Sequence, residues 1–273
     1  MDNINERAVR DMLVKMMPRP LLFFDISVTE HCNLNCKSCG SFAPLADEEY
    51  IDTKELEKDL ARLSCLSDGE VHHIHLLGGE PLLHPKIVEI CGMVRQYFPY
   101  GNIYLVTNGI LLPKMDADFW DCCKKNRIIV APTKYPIKLD YDKITKKAEM
   151  EGVQYQYFGD AGLSWGHPVI TETGNRNENH SFLHCGNANN CACLNHGKIY
   201  PCPRVAKIHF FNKAFQTNFR VSKKDFIDIY DDITLKEIME FLARPVPFCR
   251  YCNRFANYGQ RWEVSLKEKS EWT

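Results

Sequence analysis

Three cysteines fall within eight positions of HCNLNCKSCG, at Cys32, Cys36 and Cys39. A structural zinc site is normally closed by four ligands. Three thiolates on one short loop leave a coordination position open, and an iron–sulfur cluster held that way keeps one iron for a ligand the chain does not supply. A second, looser group follows: Cys185, Cys191, Cys193 and Cys202, then Cys249 and Cys252. The other four of the thirteen cysteines, Cys65, Cys91, Cys122 and Cys123, lie in helical-looking stretches and are expected to pack as small hydrophobes.

Composition narrows the setting. The 273 residues can bury a full core, with 45% hydrophobic and 25% charged residues. A net charge of −1 gives no footprint for nucleic acid or a polybasic membrane surface. The start, MDNINERAVRDMLVKMMPRP, lacks the apolar core of a secretion signal, and no apolar run approaches the roughly 20 residues of a membrane span. The reading is cytosolic, without a nucleic-acid or membrane partner. In that reducing compartment clustered cysteines point to metal or redox chemistry rather than disulfides.

The elements that must position these residues alternate. LLFFDISV (21–28) reads as a buried strand ending just before the cysteine loop. Helix is expected over 52–66 with Asp52 as N-cap, strand over 71–77 running into GGEPLLHP, helix over 86–98, and strand over 102–109. Helix follows over 115–126 with Asp116 or Asp118 near its start, then strand over 127–136, helix over 140–152 closed by Gly152, and strand over 153–158. Such βαβ units make a parallel sheet, and five or six repeats are too few for a complete eight-fold barrel. A partial barrel with functional loops at the carboxyl ends of its strands is expected, which puts the cysteine loop, GGEP and TNG on one rim. Beyond a polar stretch at 171–181 come a hairpin expected over 196–208 and a helix over 234–243 opened by Thr234. The domain expectation is an N-terminal helical extension (1–20), a barrel core (21–170) and a cysteine-rich C-terminal domain (171–273).

CNLNCKSC, with a preceding strand, GGEP at 78–81 and TNG at 107–109, resembles the radical S-adenosylmethionine superfamily. The resemblance covers most of residues 21–160 and implies an α/β partial (β/α)6 barrel. It implies that Cys32, Cys36 and Cys39 hold a 4Fe–4S cluster whose fourth iron takes the amino and carboxylate groups of S-adenosylmethionine. An electron from the cluster then breaks a carbon–sulfur bond, and a 5′-deoxyadenosyl radical removes a hydrogen atom from substrate. It implies too that Gly78 and Gly79 let backbone approach the cofactor, that Glu80 receives its ammonium group, and that Pro81 fixes the turn. Thr107, Asn108 and, on the fourth strand, Thr133 would contact its carboxylate or ribose. The family usually has an aromatic residue before the last cysteine; here Ser38 stands there, and Phe42 is a substitute for packing on adenine.

Cys185-x11-Gly197-x4-Cys202 followed by Cys249-x2-Cys252 resembles the SPASM/twitch auxiliary-cluster extension, with Gly197 turning a hairpin between two ligands. The resemblance implies a small auxiliary-cluster (twitch-like) domain in which these four cysteines close a second 4Fe–4S cluster. Cys191 or Cys193 is an alternative to Cys185, or an open thiol that donates a hydrogen atom, and a four-cysteine zinc site has similar spacing. His73 and His75 share a strand face next to His72; His31 and His184 flank cluster cysteines; Tyr135, Trp165 and His167 fall where the barrel should meet the last domain. Together the resemblances imply an oxidoreductase or epimerase acting on a small sugar-like molecule, a low-potential electron donor such as flavodoxin or ferredoxin serving as partner. The alternatives are a maturase of a ribosomal peptide and a non-catalytic electron-transfer protein, the latter having no use for a cofactor cradle.

Overall fold

The computed structural model describes residues 12–18, 22–163, 165–166, 169–253 and 261–273. Four strands, β1 (Phe23–Thr29), β2 (His73–Gly78), β3 (Asn102–Thr107) and β4 (Ile128–Lys134), lie parallel in sequence order, and β5 (Gly159–Asp160) extends the edge beside β4. Four helices make the crossovers: α1 (Thr53–Ser67), α2 (Ile87–Tyr97), α3 (Ala117–Lys125) and α4 (Tyr141–Glu151). Their ends are set by sequence. The side chains of Asp52, Asp116 and Asp140 accept from first-turn N–H groups, and Gly152 takes the left-handed conformation that stops α4.

Alternation splits each strand into two faces. Phe24, Ile26 and Val28 of β1, Ile74 and Leu76 of β2, Ile103 and Leu105 of β3, and Ile128 and Val130 of β4 pack with Leu56, Leu60, Ile90 and Val94 of the helices in the main core. The opposite face carries Asp25, Ser27, His75 and Tyr104, a polar lining that an apolar core would not tolerate without partners.

Past residue 170 the chain returns to this sheet. After β6 (Val169–Ile170) and α5 (Glu178–Leu183), β7 (Cys193–Asn195) joins β1 in parallel, β8 (Lys198–Tyr200) pairs antiparallel with β7, and β9 (Ile227–Asp228) antiparallel with β8. The sheet order is β5-β4-β3-β2-β1-β7-β8-β9. A second core forms around α6 (Pro203–Phe215), where Val205, Ile208 and Phe211 meet Phe42, Phe248 and Trp272. The remaining elements are α7 (Leu235–Leu242), opened by a Thr234 capping box, and β10 (Cys252–Asn253), antiparallel to β6.

Two expected elements differ. The strand over 153–158 bonds to β4 only loosely: Val130 N–H donates to Gln154, Gln156 N–H returns to Val130, and regular pairing starts only at Gly159. Pro132 of β4 has no N–H to give, which interrupts the ladder at that point. The hairpin expected over 196–208 lies earlier, at 193–200. Its turn is His196 and Gly197, both at positive φ (49° and 69°), which is the two-residue type I′ geometry. Pro203 then starts a helix, a position where its missing N–H costs nothing. Cys91, Cys122 and Cys123 are buried as expected, whereas Cys65 is exposed on α1. Most of the 1–20 extension lies outside the described residues.

Candidate active site

The cysteine loop leaves the carboxyl end of β1 and bends through left-handed residues at Asn35 (φ 47°) and Ser38 (φ 57°). Within it Cys39 N–H donates to Cys36 at 3.3 Å and Phe42 N–H to Cys39 at 3.1 Å, while Leu34 N–H points at the Cys32 sulfur from 3.4 Å. The thiols feel one another. Burial, then the Glu80 carboxylate, pushes Cys32 up to about 12, with Cys39 adding to it; burial and the fields of Cys39 and Cys32 raise Cys36. If these cysteines hold a cationic iron core, they would do so as thiolates and would have to give up their protons. Among the described residues no three His, Cys, Asp or Glu side chains converge on a single ion. A four-iron cube asks for less convergence, because each thiolate takes its own iron.

Glycine at 78 and 79 is a steric necessity. A Cβ on Gly78 would stand 2.0 Å from the Thr29 carbonyl oxygen, and one on Gly79 1.9 Å from that of His31. The backbone passes this close because Gly79 N–H bonds Thr29 (2.7 Å) and Glu80 N–H bonds His31 (3.0 Å), joining the end of β2 to the start of the cysteine loop. Glu80 differs from expectation. It is fully buried, and its carboxylate already accepts from the Thr107 hydroxyl (2.6 Å), Asn108 N–H (2.8 Å) and Leu82 N–H (3.1 Å). It ties GGEP to TNG instead of presenting itself to a cofactor's ammonium, and burial raises its pKa to about 7. Pro81 opens the short 3-10 turn Pro81–Leu83 that Glu80 caps. Asn108 completes the rim: its amide donates to Asn33 Oδ1 at 2.7 Å and lies 3.6 Å from the Cys32 sulfur. Thr133 sits at the same rim, paired in register with Gly159.

A segment that sequence reasoning missed clamps the loop from outside. Val264 bridges Cys36, Ser265 N–H donates to Asn35 (2.8 Å), Lys37 N–H donates to Glu263 (2.9 Å), and the Trp272 indole N–H donates to the Cys39 carbonyl at 2.9 Å. Ser38, the departure from the usual aromatic, donates its hydroxyl to the Glu271 carbonyl. Phe42 is no substitute for that aromatic, since it is fully buried in the second core against Phe211 and Trp272. Tyr135 instead converges with Trp165 and Trp262 (centroids 5.8 and 5.7 Å), and Trp165 N–H donates to Lys37. His167 lies outside the described residues.

The late cysteines also gather. Burial and the fields of Cys252 and Cys185 raise Cys202, and those of Cys252, Cys202 and Cys185 raise Cys249. Cys191 stands beside them, affected most after burial by Asp25 and then by Cys202 and Cys185. Cys193 is turned elsewhere. It is fully buried on β7 opposite Asp25, with Lys207 nearby, and is no open thiol in this arrangement. Gly197 has the hairpin role expected of it; its N–H donates to Asp59, and a Cβ would meet the Tyr230 ring at 2.7 Å.

Between the two cysteine groups lies the polar inner face. In one register row stand Tyr104, His75, Asp25, Cys193 and Tyr200, and His75 Nδ1 is 2.9 Å from Asp25 Oδ1. Tyr104 and Phe158 present ring edges to His75 at 5.4 and 5.2 Å. Toward the cysteine loop, Lys207 of α6, 1% exposed, pairs with Glu30 and donates to Asn195 at 2.8 Å. His75 is thus a lining residue, while His72 and His73 stack on each other at 4.0 Å beside Phe23. His31 packs edge-on to Tyr50, and His184 bonds the His180 carbonyl. Asp25 and Lys207 were missed, though each left a trace: one acid inside the apolar run LLFFDISV, and one lysine inside VAKIHFF.

Residues 26–149 match the model of the Radical SAM superfamily. The chain is 32% identical over 143 residues to the mitochondrial GTP 3′,8-cyclase of Arabidopsis thaliana, covering 51% of this chain and 36% of that protein. It is 34% identical over 110 residues to the GTP 3′,8-cyclase of Helicobacter pylori (strain ATCC 700392 / 26695), covering 39% of this chain and 33% of the other. The chain therefore spans about a third of the length of these curated relatives. Its fold is similar to that of BtrN solved in complex with AdoMet and 2-DOIA, with a TM-score of 0.54 and 17% identity over 94% of this chain and 98% of that one. It is also similar to native anSMEcpe with bound AdoMet, with a TM-score of 0.51 and 16% identity over 85% and 90%.

Proposed function

Residues 26–149 constitute a Radical SAM superfamily domain, and from that premise we propose that the protein oxidises a small, hydroxyl-bearing, sugar-like molecule by radical S-adenosylmethionine chemistry. Cys32, Cys36 and Cys39 would hold the four-iron cluster, and the rim of Gly78, Gly79, Thr107, Asn108 and Thr133 the S-adenosylmethionine. When bound, these groups supply a carbon radical that takes a hydrogen atom from substrate; the chain's own residues bind, orient and deprotonate. Cys185, Cys202, Cys249 and Cys252 would hold an auxiliary cluster.

The observation that carries the substrate class is the inner row of Tyr104, His75 and Asp25, with Asn195 and the Lys207–Glu30 pair toward the loop. Hydrogen-bonding groups spaced along a sheet face suit a compact molecule bearing several hydroxyl or amino groups. Asp25 holds His75 through Nδ1, leaving Nε2 as the acceptor for the hydroxyl proton when an alcohol becomes a carbonyl. The hydrogen atom would go to the deoxyadenosyl radical and the remaining electron to the auxiliary cluster that Cys185, Cys202, Cys249 and Cys252 would hold. That proton acceptor favours oxidation over epimerisation, which needs none.

Cyclisation of GTP is the second reading, favoured by the sequence match to GTP 3′,8-cyclases. A triphosphate calls for several cations. Among the described residues the buried cations are Arg204 and Lys207, and Lys207 is already matched by Glu30, which ranks this reading lower.

The experiment is anaerobic reconstitution followed by incubation with S-adenosylmethionine, reductant and carbon-deuterated aminocyclitols or GTP. About eight irons per chain are expected, from two four-iron clusters. Deuterium should enter 5′-deoxyadenosine from an aminocyclitol; transfer from GTP instead overturns the substrate assignment. The Cys32→Ala/Cys36→Ala/Cys39→Ala variant should lose about half the iron and all 5′-deoxyadenosine formation. Cleavage surviving in it defeats the cluster assignment.

A further inference from the structure

Two stretches far apart in the chain bring aromatic side chains to Cys36. Tyr135 is the residue after β4, and its backbone is fixed by the Tyr141 hydroxyl, which accepts from Tyr135 N–H at 2.8 Å. Its ring meets those of Trp165 and Trp262 at centroid distances of 5.8 and 5.7 Å. Trp262 arrives on the closing segment. Lys37 N–H donates to the Glu263 carbonyl at 2.9 Å and Ser265 N–H to that of Asn35 at 2.8 Å, which sets Val264 antiparallel and opposite to Cys36. Trp262, two residues earlier, is then a diagonal neighbour of Cys36 on the same face, a separation that an indole spans.

The polar ends of these rings are of two kinds. Trp165 N–H is committed to the Lys37 carbonyl at 3.0 Å. Trp262 N–H is sealed from water and completes no hydrogen bond among the described residues. It faces the Cys36 sulfur, as the Tyr135 hydroxyl does: burial, then Cys39, raises this thiol, and the two donors pull it back down. Burial, then the fields of Cys36, Cys39 and Cys32, keeps the proton on Tyr135, so its hydroxyl stays a donor. A buried donor without a good acceptor is costly, and a neutral thiol is a weak one. A ligated thiolate carries charge and accepts from both.

We propose that Tyr135 and Trp262 are paired hydrogen-bond donors to the Cys36 sulfur in its metal-ligated form, and that they set the reduction potential of the cluster that Cys32, Cys36 and Cys39 would hold. The inference rests on the cluster assignment above. A donor to a ligand sulfur draws charge away from the cluster. The reduced form, with one electron more, gains more from it than the oxidised form, and the potential rises. Both are positioning residues, because they act through Cys36 and neither touches substrate. Trp262 also makes the closing segment part of the redox site rather than a mere clamp on the loop.

The test is a potentiometric titration of the anaerobically reconstituted protein, followed by the paramagnetic signal of the reduced cluster. The first cluster's signal is the one absent from the Cys32→Ala/Cys36→Ala/Cys39→Ala variant. Tyr135→Phe keeps the ring and removes the hydroxyl; Trp262→Phe keeps an aromatic and removes the N–H. Each should shift the equilibrium about tenfold toward the oxidised cluster, or about 59 mV for one electron. Trp165→Phe, whose N–H is spent on Lys37, should leave the potential in place. In deuterium oxide, electron–nuclear double resonance on the wild type should detect exchangeable deuterons coupled to this cluster, and fewer in each donor variant. An unchanged potential in either donor variant overturns the pairing, as does an equal shift in Trp165→Phe. So does an unchanged potential with weakened S-adenosylmethionine binding in Tyr135→Phe, which makes the hydroxyl a cofactor contact. Should a donor variant lose its iron, the wild-type spectrum decides, and absence of coupled deuterons overturns the proposal. A wild type without any reduced four-iron signal is a different result: it removes the cluster assignment itself.

Discussion

Glu80 is a carboxyl sealed from water at the joint between GGEP and TNG. Burial moves it from the ordinary carboxylate range to about 7. Between about pH 4.5 and 7 the folded chain keeps a proton that the unfolded chain has released, so the native state binds more protons than the unfolded one. Stability from this group is therefore fully present below the unfolded value and lost as pH rises through about 7, by about 3 kcal/mol in all. Urea midpoints at pH 5 and pH 7.5 should show that fall, and Glu80→Gln should flatten it; equal slopes in the two proteins would reject the account. Asn108→Ala removes the amide beside Cys32 and should lower S-adenosylmethionine affinity about tenfold or more, read by calorimetry on the reconstituted protein. At this scale the gathering of the Cys32, Cys36 and Cys39 thiols was legible in their spacing. Asp25 and Lys207 left only faint traces, a charge inside an apolar run, and Trp272 left none, because the partners of all three are distant in the chain.

At the scale of elements, local signals decided most boundaries. Asp52, Asp116, Asp140 and Thr234 cap their helices, and Gly152 ends α4. Such caps are written in adjacent residues, so periodicity and a polar residue sufficed. The errors fell where a neighbour intervenes. Pro132 on β4 spoils pairing for a segment more than twenty residues later, and α6, buried nearly all round, has no amphipathic stripe to reveal it. Glycine at 79 gives the sharpest test. Gly79→Ala drives a methyl into the His31 carbonyl and should separate β2 from the cysteine loop, costing several-fold in iron retained at the first cluster while far-UV circular dichroism stays close to wild type. Iron content equal to wild type would show that the loop tolerates the displacement.

For the whole molecule the partial barrel was legible, because strand–helix alternation before residue 160 leaves few other architectures. The return of β7, β8 and β9 to the sheet was not, since short strands carry little periodic signal. Nor was the closing segment, which joins the cysteine loop to the second core. Trp272 is 1% exposed and bridges both: its ring packs near Phe42 and Phe211, and its N–H bonds Cys39. Trp272→Ala should cost about 3–5 kcal/mol, as large aromatic truncations do. Trp272→Phe should recover most of the packing but not the hydrogen bond, and comparing the two by chemical denaturation and iron content separates the contributions.

Residues 233 positions apart in the chain finish one loop. At translation rates of about 5–20 residues per second, Cys39 waits roughly 10–50 s on the ribosome before Trp272 exists to hold it. An iron cluster on this loop would consequently be completed late in biogenesis, and pulse-labelled nascent chains halted before residue 261 should retain less iron than the full chain.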